Sequence, residues 1–252
     1  MELEEVQGMT SKLRENVQQV VVGQEKTIDL LLTAMIASGH VLLEDVPGTG
    51  KTMLAKSLAK SLDADFKRIQ FTPDLLPSDI TGIHFYSQQK SEFEFRPGPI
   101  FTNILLADEI NRATPRTQSS LLESMEERQV TIEGETHSLQ QPFFVIATQN
   151  PVESQGTFPL PEAQLDRFLL KVHMGYPTKE EGISILKRFK SQNPLEQLQA
   201  VASSDEMVAM QNVYSEVEVS DDCLSYMMDV IEATREHQST ALGVSLEEVK
   251  RY

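Results

Sequence analysis

The stretch His40-Val41-Leu42-Leu43-Glu44-Asp45-Val46-Pro47-Gly48-Thr49-Gly50-Lys51-Thr52 decides how this chain is read. A short apolar run leads into a glycine-bearing turn, then Lys-Thr, then a helix-like segment from Met53 to Leu62. Strand, turn and helix in that order build a phosphate-binding loop. The strand carries the loop to a sheet edge, and the glycines let backbone N–H groups turn inward around an anion. Lys51 would reach the β- and γ-phosphates and the Thr52 hydroxyl would sit on Mg²⁺. The helix that begins beside Met53 would point its positive end at the same phosphates. The usual pattern, GxxxxGK[ST], has a glycine where this chain has Asp45. Gly48, Thr49 and Gly50 nevertheless keep the permissive backbone, and Pro47 stiffens the turn. Alone, these residues would also suit a tight strand-to-helix turn with an ordinary Lys.

A second segment argues against that plainer reading. Ile104-Leu105-Leu106-Ala107 has the apolar character of a strand buried on both faces, and Asp108-Glu109 follows at its C-terminal end. Open α/β sheets bind ligands beyond the carboxyl ends of their strands. There Asp108 would hold Mg²⁺, largely through water, and Glu109 would orient and deprotonate a water attacking the γ-phosphate. A third run, Phe143-Phe144-Val145-Ile146-Ala147-Thr148-Gln149-Asn150-Pro151, is another buried-strand pattern closed by proline. Asn150 is placed to reach the attacking water or a γ-phosphate oxygen, although by itself it would read as a turn-capping Asn.

These segments resemble the MoxR family of AAA+ ATPases. Besides the loop, the resemblance rests on Leu106-Ala107-Asp108-Glu109-Ile110-Asn111-Arg112-Ala113, Ala147-Thr148-Gln149-Asn150-Pro151, Phe95-Arg96-Pro97-Gly98-Pro99-Ile100 and Pro161-Glu162-Ala163-Gln164-Leu165-Asp166-Arg167-Phe168. It runs from about Val21 to about Ser245, and an Asp at the position of Asp45 is common in the family. The resemblance implies Walker A roles for Lys51 and Thr52, Walker B roles for Asp108 and Glu109, and a γ-phosphate sensor in Asn150. Arg167 would be an arginine finger for the neighbouring subunit's ATP, with Arg112 and Arg116 as weaker candidates. Against this stands an ordinary surface ion pair of Arg167 with Asp166 or Glu162. The loop with Val22 and Gly23 would contact adenine. The family also implies ATP with Mg²⁺, a ring that is commonly a hexamer, and protein clients, often with a von Willebrand factor A domain.

Composition adds restrictions. The length of 252 residues suits one α/β domain and a smaller one. There is no apolar run long enough to cross a membrane, and Met1-Glu2-Leu3-Glu4-Glu5 has the wrong sign for a secretory leader. The single cysteine, Cys223, cannot form an intrachain disulfide, which suits a reducing cytoplasm. A formal charge of −16 disfavours nucleic acid as the main partner, and with it a DNA-directed motor. The acid is concentrated from Ser191 onward, where three Lys or Arg face twelve Asp or Glu. A solvated helical face explains this most plainly; a docking face for a basic partner is the alternative.

The expected fold is α/β, a P-loop NTPase core with a five-stranded parallel sheet flanked by helices, over residues 1–175. Strands are expected at His40–Glu44, Phe66–Phe71, Asn103–Ala107, Phe143–Thr148 and Leu169–His173, with helices between them. Thr72 to Phe101, with four prolines, reads as loop and short hairpin, and Gln129 to Leu139 as a hairpin turning at Glu133-Gly134. The resemblance places both inserts towards a central pore. Residues 176–252 are expected to form an incomplete α-helical lid. Its helices carry Ile183, Leu186 and Phe189, and a stripe of Leu224, Met227, Met228 and Ile231 that reads as packed core. The family leads one to expect Gly-x-Ser-Pro-Arg near the end, whereas here Gly243-Val244-Ser245 runs into Leu246-Glu247-Glu248 and no residue matches the sensor-2 arginine. The alternative to a working motor is therefore a nucleotide-dependent binding switch with little turnover.

Overall fold

The computed structural model describes residues 1–44, 48–151, 156–191, 193–214, 216–237 and 240. Asp45, Pro47 and the Gly243–Ser245 segment lie outside the described residues. Helices α1 (Leu3–Gln18) and α2 (Glu25–Ile36) precede β1 (Val41–Glu44). Then come α3 (Lys51–Ser61), β2 (Phe66–Gln70), α4 (Pro77–Thr81), β3 (Gly82–Ser87), β4 (Glu92–Pro97) and β5 (Ile104–Asp108). A short 3-10 turn at Ile110–Arg112 leads to α5 (Pro115–Glu127), β6 (Gln129–Ile132), β7 (Glu135–Ser138) and β8 (Phe144–Gln149). The chain closes with α6 (Glu162–Leu165), β9 (Leu170–Val172), α7 (Lys179–Ser191), α8 (Pro194–Gln197), α9 (Ser204–Tyr214) and α10 (Asp221–Glu236).

The main sheet has five parallel strands in the order β2-β5-β8-β1-β9. Its strands alternate between two apolar layers, as the two-residue period of a strand requires. Val41, Leu43, Leu106 and Ile146 face a layer built with α1, α2, α3 and α9. Leu42, Leu105, Ala107, Val145 and Ala147 face a second layer closed by Ile80, Leu121, Leu122 and Met125. His40 locks the strand entry from inside: its Nδ1 accepts from Val145 N at 3.0 Å, and its Nε2 lies 3.2 Å from the Met125 carbonyl.

The two inserts form two-stranded antiparallel hairpins, β3–β4 and β6–β7. The expectation of loop and hairpin for 72–101 misses only α4, whose first residue is the preorganised Pro77. At the join, Gly82 has φ +103, and a Cβ there would meet the Arg96 carbonyl oxygen at 2.4 Å. The β6–β7 turn has φ 51 at Glu133 and φ 90 at Gly134, the pair of positive values that a two-residue hairpin turn demands.

After β9 the chain is helical, but its packing differs from the expected lid core. Of the α10 stripe, Ile231 is buried, Met227 and Met228 are half-buried, and Leu224 is exposed. The methionines in the core are instead Met207 and Met210 on α9. A 3.6-residue period shows that a face is apolar; it does not say what covers it. Polar contacts hold the α8–α9 region to the core: Lys60 Nζ donates to the Leu195 carbonyl at 2.8 Å, and Asn16 Nδ2 to that of Gln199 at 2.8 Å. Gln211 Nε2 donates to the Met35 carbonyl at 2.7 Å.

Candidate nucleotide site

Strand order brings three of the motifs together. β8 lies between β1 and β5, so the loop after β1, Asn150 after β8 and Asp108-Glu109 at the end of β5 share one rim. Register sharpens the arrangement, pairing Glu44 with Gln149 and Gln70 with Asp108. A cavity of about 410 Å³ opens at this rim, lined by Gly48 to Met53 on one side and by Asp108, Glu109 and Asn150 on the other. Gly50 caps α3 with φ 91, a left-handed value that aims the first N–H groups of the helix at the cavity without Cβ strain.

The carboxylates of Asp108 and Glu109 are held by neighbours that lie far apart in sequence. Arg68, reaching across from β2, donates to Asp108 Oδ2 through Nη2 at 2.5 Å and Nε at 3.1 Å. The Thr148 hydroxyl donates to Asp108 Oδ1 at 2.6 Å and accepts from the Glu109 backbone N–H at 2.8 Å. Gln70 Nε2 donates to Glu109 Oε2 at 2.7 Å, and Arg112 Nε lies 3.3 Å from the same oxygen. Glu109 itself has φ 57 and ψ 49, unusual for a residue with a side chain. Beside the loop's origin, burial pushes the Glu44 carboxyl up in pKa. Hydrogen bonds from Lys171 and Gln149 and the charges of Lys171 and His173 outweigh it, leaving the group below its ordinary value.

A second cavity, of about 180 Å³, continues from the first through Gly48, Thr49, Gly50 and Met53. Its walls are apolar, supplied by Val20, Val21, Val22, Pro177, Ile185 and Phe189. The cleft is thus polar at one end, where Lys51 and Arg68 stand with Asp108 and Glu109, and apolar at the other, a shape and chemistry that fit a nucleotide with phosphates on the loop and base against Val22 and Phe189. Mg²⁺ fits the same end, with Thr52 and Asp108 on the cavity wall, provided Arg68 yields part of its hold on Asp108.

Gly23 is not brought to this cleft. It lines a separate cavity with Lys26, Lys171 and His173, and a Cβ on it would meet the Glu181 side chain at 2.2 Å. Arg167 also lies away from its own chain's cleft, and its Nε is 3.0 Å from Glu126 Oε2. Arg68 and Gln70 escaped the sequence reading, since neither belongs to a motif. The one available signal was their position near the C-terminal end of β2, the strand adjacent to β5.

Fold and cleft together define an α/β protein of the P-loop NTPase class. Comparison with known proteins narrows this. Residues 40–170 match the model of the ATPase family associated with various cellular activities, AAA. The protein YeaC of Bacillus subtilis, itself uncharacterised, is 52% identical over 242 residues, covering 96% of this chain and 76% of YeaC. Chaperone MoxR1 of Mycobacterium tuberculosis is 42% identical over 227 residues, 90% of this chain and 60% of MoxR1. A solved structure of a protein assigned as an ATPase, from Cytophaga hutchinsonii, superposes with a TM-score of 0.86 at 41% identity, covering 100% of this chain and 82% of that one. The chain belongs to the MoxR family of AAA+ ATPases.

Proposed function

We propose that this chain binds and hydrolyses ATP with Mg²⁺ and uses the cycle to remodel or assemble protein clients in the cytoplasm as part of a ring. The observation that carries the proposal is the single cleft in which the Gly48–Met53 segment faces Asp108, Glu109 and Asn150. Residues 1–175 would form the nucleotide-binding core and the residues from 176 onward would belong to a helical lid, with Pro177, Ile185 and Phe189 closing on the base. Backbone N–H groups of Gly48 to Lys51 and the Lys51 ammonium would bind the phosphates, with Thr52 and Asp108 holding Mg²⁺. Mg²⁺, when bound, neutralises charge on the phosphate oxygens. Glu109 would take a proton from the attacking water, and Asn150 would orient that water or the γ-phosphate. Arg167 would serve the neighbouring subunit. The client class favoured by the family is a protein with a von Willebrand factor A domain. No described helix is long and apolar enough to cross a membrane.

The test is steady-state hydrolysis with Glu109→Gln and Lys51→Ala. Loss of turnover with ATP binding intact is expected for Glu109→Gln, and loss of Mg²⁺-ATP binding for Lys51→Ala. Turnover retained in Glu109→Gln would remove the assigned base.

A second reading, a binding switch with slow turnover, is favoured by one observation. Gln70 and Arg112 both engage Oε2 of Glu109, so one of the two oxygens of the proposed base is already committed.

A further inference from the structure

The two insert hairpins belong to separate sheets, yet four titratable side chains meet between them. His84 comes from β3. Glu135 and His137 stand two residues apart on β7 and therefore share a face. Glu133 occupies the first position of the β6–β7 turn. Glu135 Oε2 lies 3.8 Å from His84 Nε2 and 3.9 Å from His137 Nε2, and one ligand atom from each of these three residues falls within 4.8 Å of the others.

Two further observations single the cluster out from ordinary surface ion pairs. His137 Nε2 is buried and has no hydrogen-bond partner among the described residues, an expensive state for a ring nitrogen, and His84 Nδ1 is buried with the Glu133 carboxylate 3.3 Å away. Both rings are also set against Phe95. His137 stacks on it at 4.4 Å and 13°, His84 lies 5.4 Å away, and Phe101 braces the same ring edge-on at 5.5 Å. Aromatic packing of this kind fixes where imidazole nitrogens point.

We propose that His84 Nε2, His137 Nε2 and a Glu135 oxygen bind a divalent transition-metal ion, Zn²⁺ by preference, which ties the β3–β4 hairpin to the β6–β7 hairpin. Two imidazoles and one carboxylate are a Zn²⁺ donor set, whereas Mg²⁺ and Ca²⁺ take oxygen ligands. Zn–N bonds of about 2.0–2.1 Å put tetrahedral ligands roughly 3.4 Å apart, so the two Glu135–histidine spacings need to close by about 0.5 Å, and the two imidazoles, whose ligand atoms lie within 4.8 Å of each other, by at most about 1.4 Å. The Glu135 side chain, 70% exposed, has room to make that movement. A ligating His usually gives its other ring N–H to a carboxylate. Glu133 Oε2, 3.3 Å from His84 Nδ1, is in place for that role. A two-stranded hairpin is marginally stable alone, so a cross-link between two of them sets their relative orientation.

The experiment titrates the chelator-stripped chain with Zn²⁺ against a chromophoric chelator, with Mg²⁺ in excess to cover the carboxylates at Asp108 and Glu109. One Zn²⁺ per chain is expected, lost in the double variant His84→Ala/His137→Ala and in Glu135→Gln. Glu133→Gln should weaken binding by about 10- to 100-fold. His173→Ala should leave it unchanged, although His173 Nε2 sits 3.3 Å from Glu44. ATP binding, measured on each variant, reports whether it is folded. A wild-type chain that takes up no Zn²⁺ beyond the double histidine variant overturns the proposal. So does Glu135→Gln, a change at an exposed side chain, if it binds as tightly as wild type.

Discussion

With Glu109 as the proposed base, its contacts in the cleft carry a quantitative consequence for turnover. Gln70 Nε2 holds its carboxylate at 2.7 Å. Removing one such hydrogen bond is worth about 0.5–1.5 kcal/mol, so Gln70→Ala should raise basal ATP turnover roughly 2- to 10-fold with KM little changed. Steady-state kinetics decide it. A fall in turnover comparable to that of Glu109→Gln would instead make Gln70 the residue that aims the base. That Lys51, Thr52, Asp108, Glu109 and Asn150 would line one cleft was legible in the sequence, because they follow three buried-strand signals. Gln70 and Arg68 were not, because their role arises from the register that sets Gln70 beside Asp108. His84 and His137 were hidden for a similar reason, since nothing local in either hairpin says that the two will pack together. Arg167 shows the same limit, because it pairs with Glu126 on α5, a residue far from it in sequence.

At the scale of elements, the strands and both hairpins followed from apolar runs and turn residues, whereas the helices after β9 did not reveal their packing. α9 and α10 both carry methionines, yet Met207 and Met210 are fully buried and Leu224 on α10 is exposed. This difference is measurable. Met210→Ala should cost about 2–5 kcal/mol in urea unfolding, because it removes side-chain volume between α9 and the α2 layer. Leu224→Ala should stay within about 0.5 kcal/mol. Equal effects would mean that α10 is packed as tightly as α9. The result also bears on the cleft, for α8 and α9 are held to α1–α3 while α7 supplies Ile185 and Phe189 to its apolar end. An anchored segment on one side and a nucleotide-facing helix on the other is the arrangement that would let closure around a base be felt by the core.

The whole-molecule question is whether one chain suffices for hydrolysis. The cleft contains its own loop, its own acidic pair and Asn150, but Arg167 lies outside it and is half-exposed beside Glu126. An arginine acting in trans predicts complementation. On that reading Arg167→Ala would keep the residues of the cleft and lack the finger, while Lys51→Ala would keep the finger and fail to bind nucleotide productively. Each alone should be inactive or nearly so, a trans arginine being worth about 10³-fold or more in rate. Mixed in one assembly, Lys51→Ala subunits would present Arg167 to the intact loops of their neighbours, and activity should return in proportion to the number of mixed interfaces. Glu126→Gln separates this role from a structural one. If Arg167 served only to pair with Glu126, removing the carboxylate would cost as much activity as removing the arginine, and mixing would restore nothing. If the finger acts between subunits, Glu126→Gln keeps turnover, and specific activity of the wild type rises with protein concentration until the ring is complete.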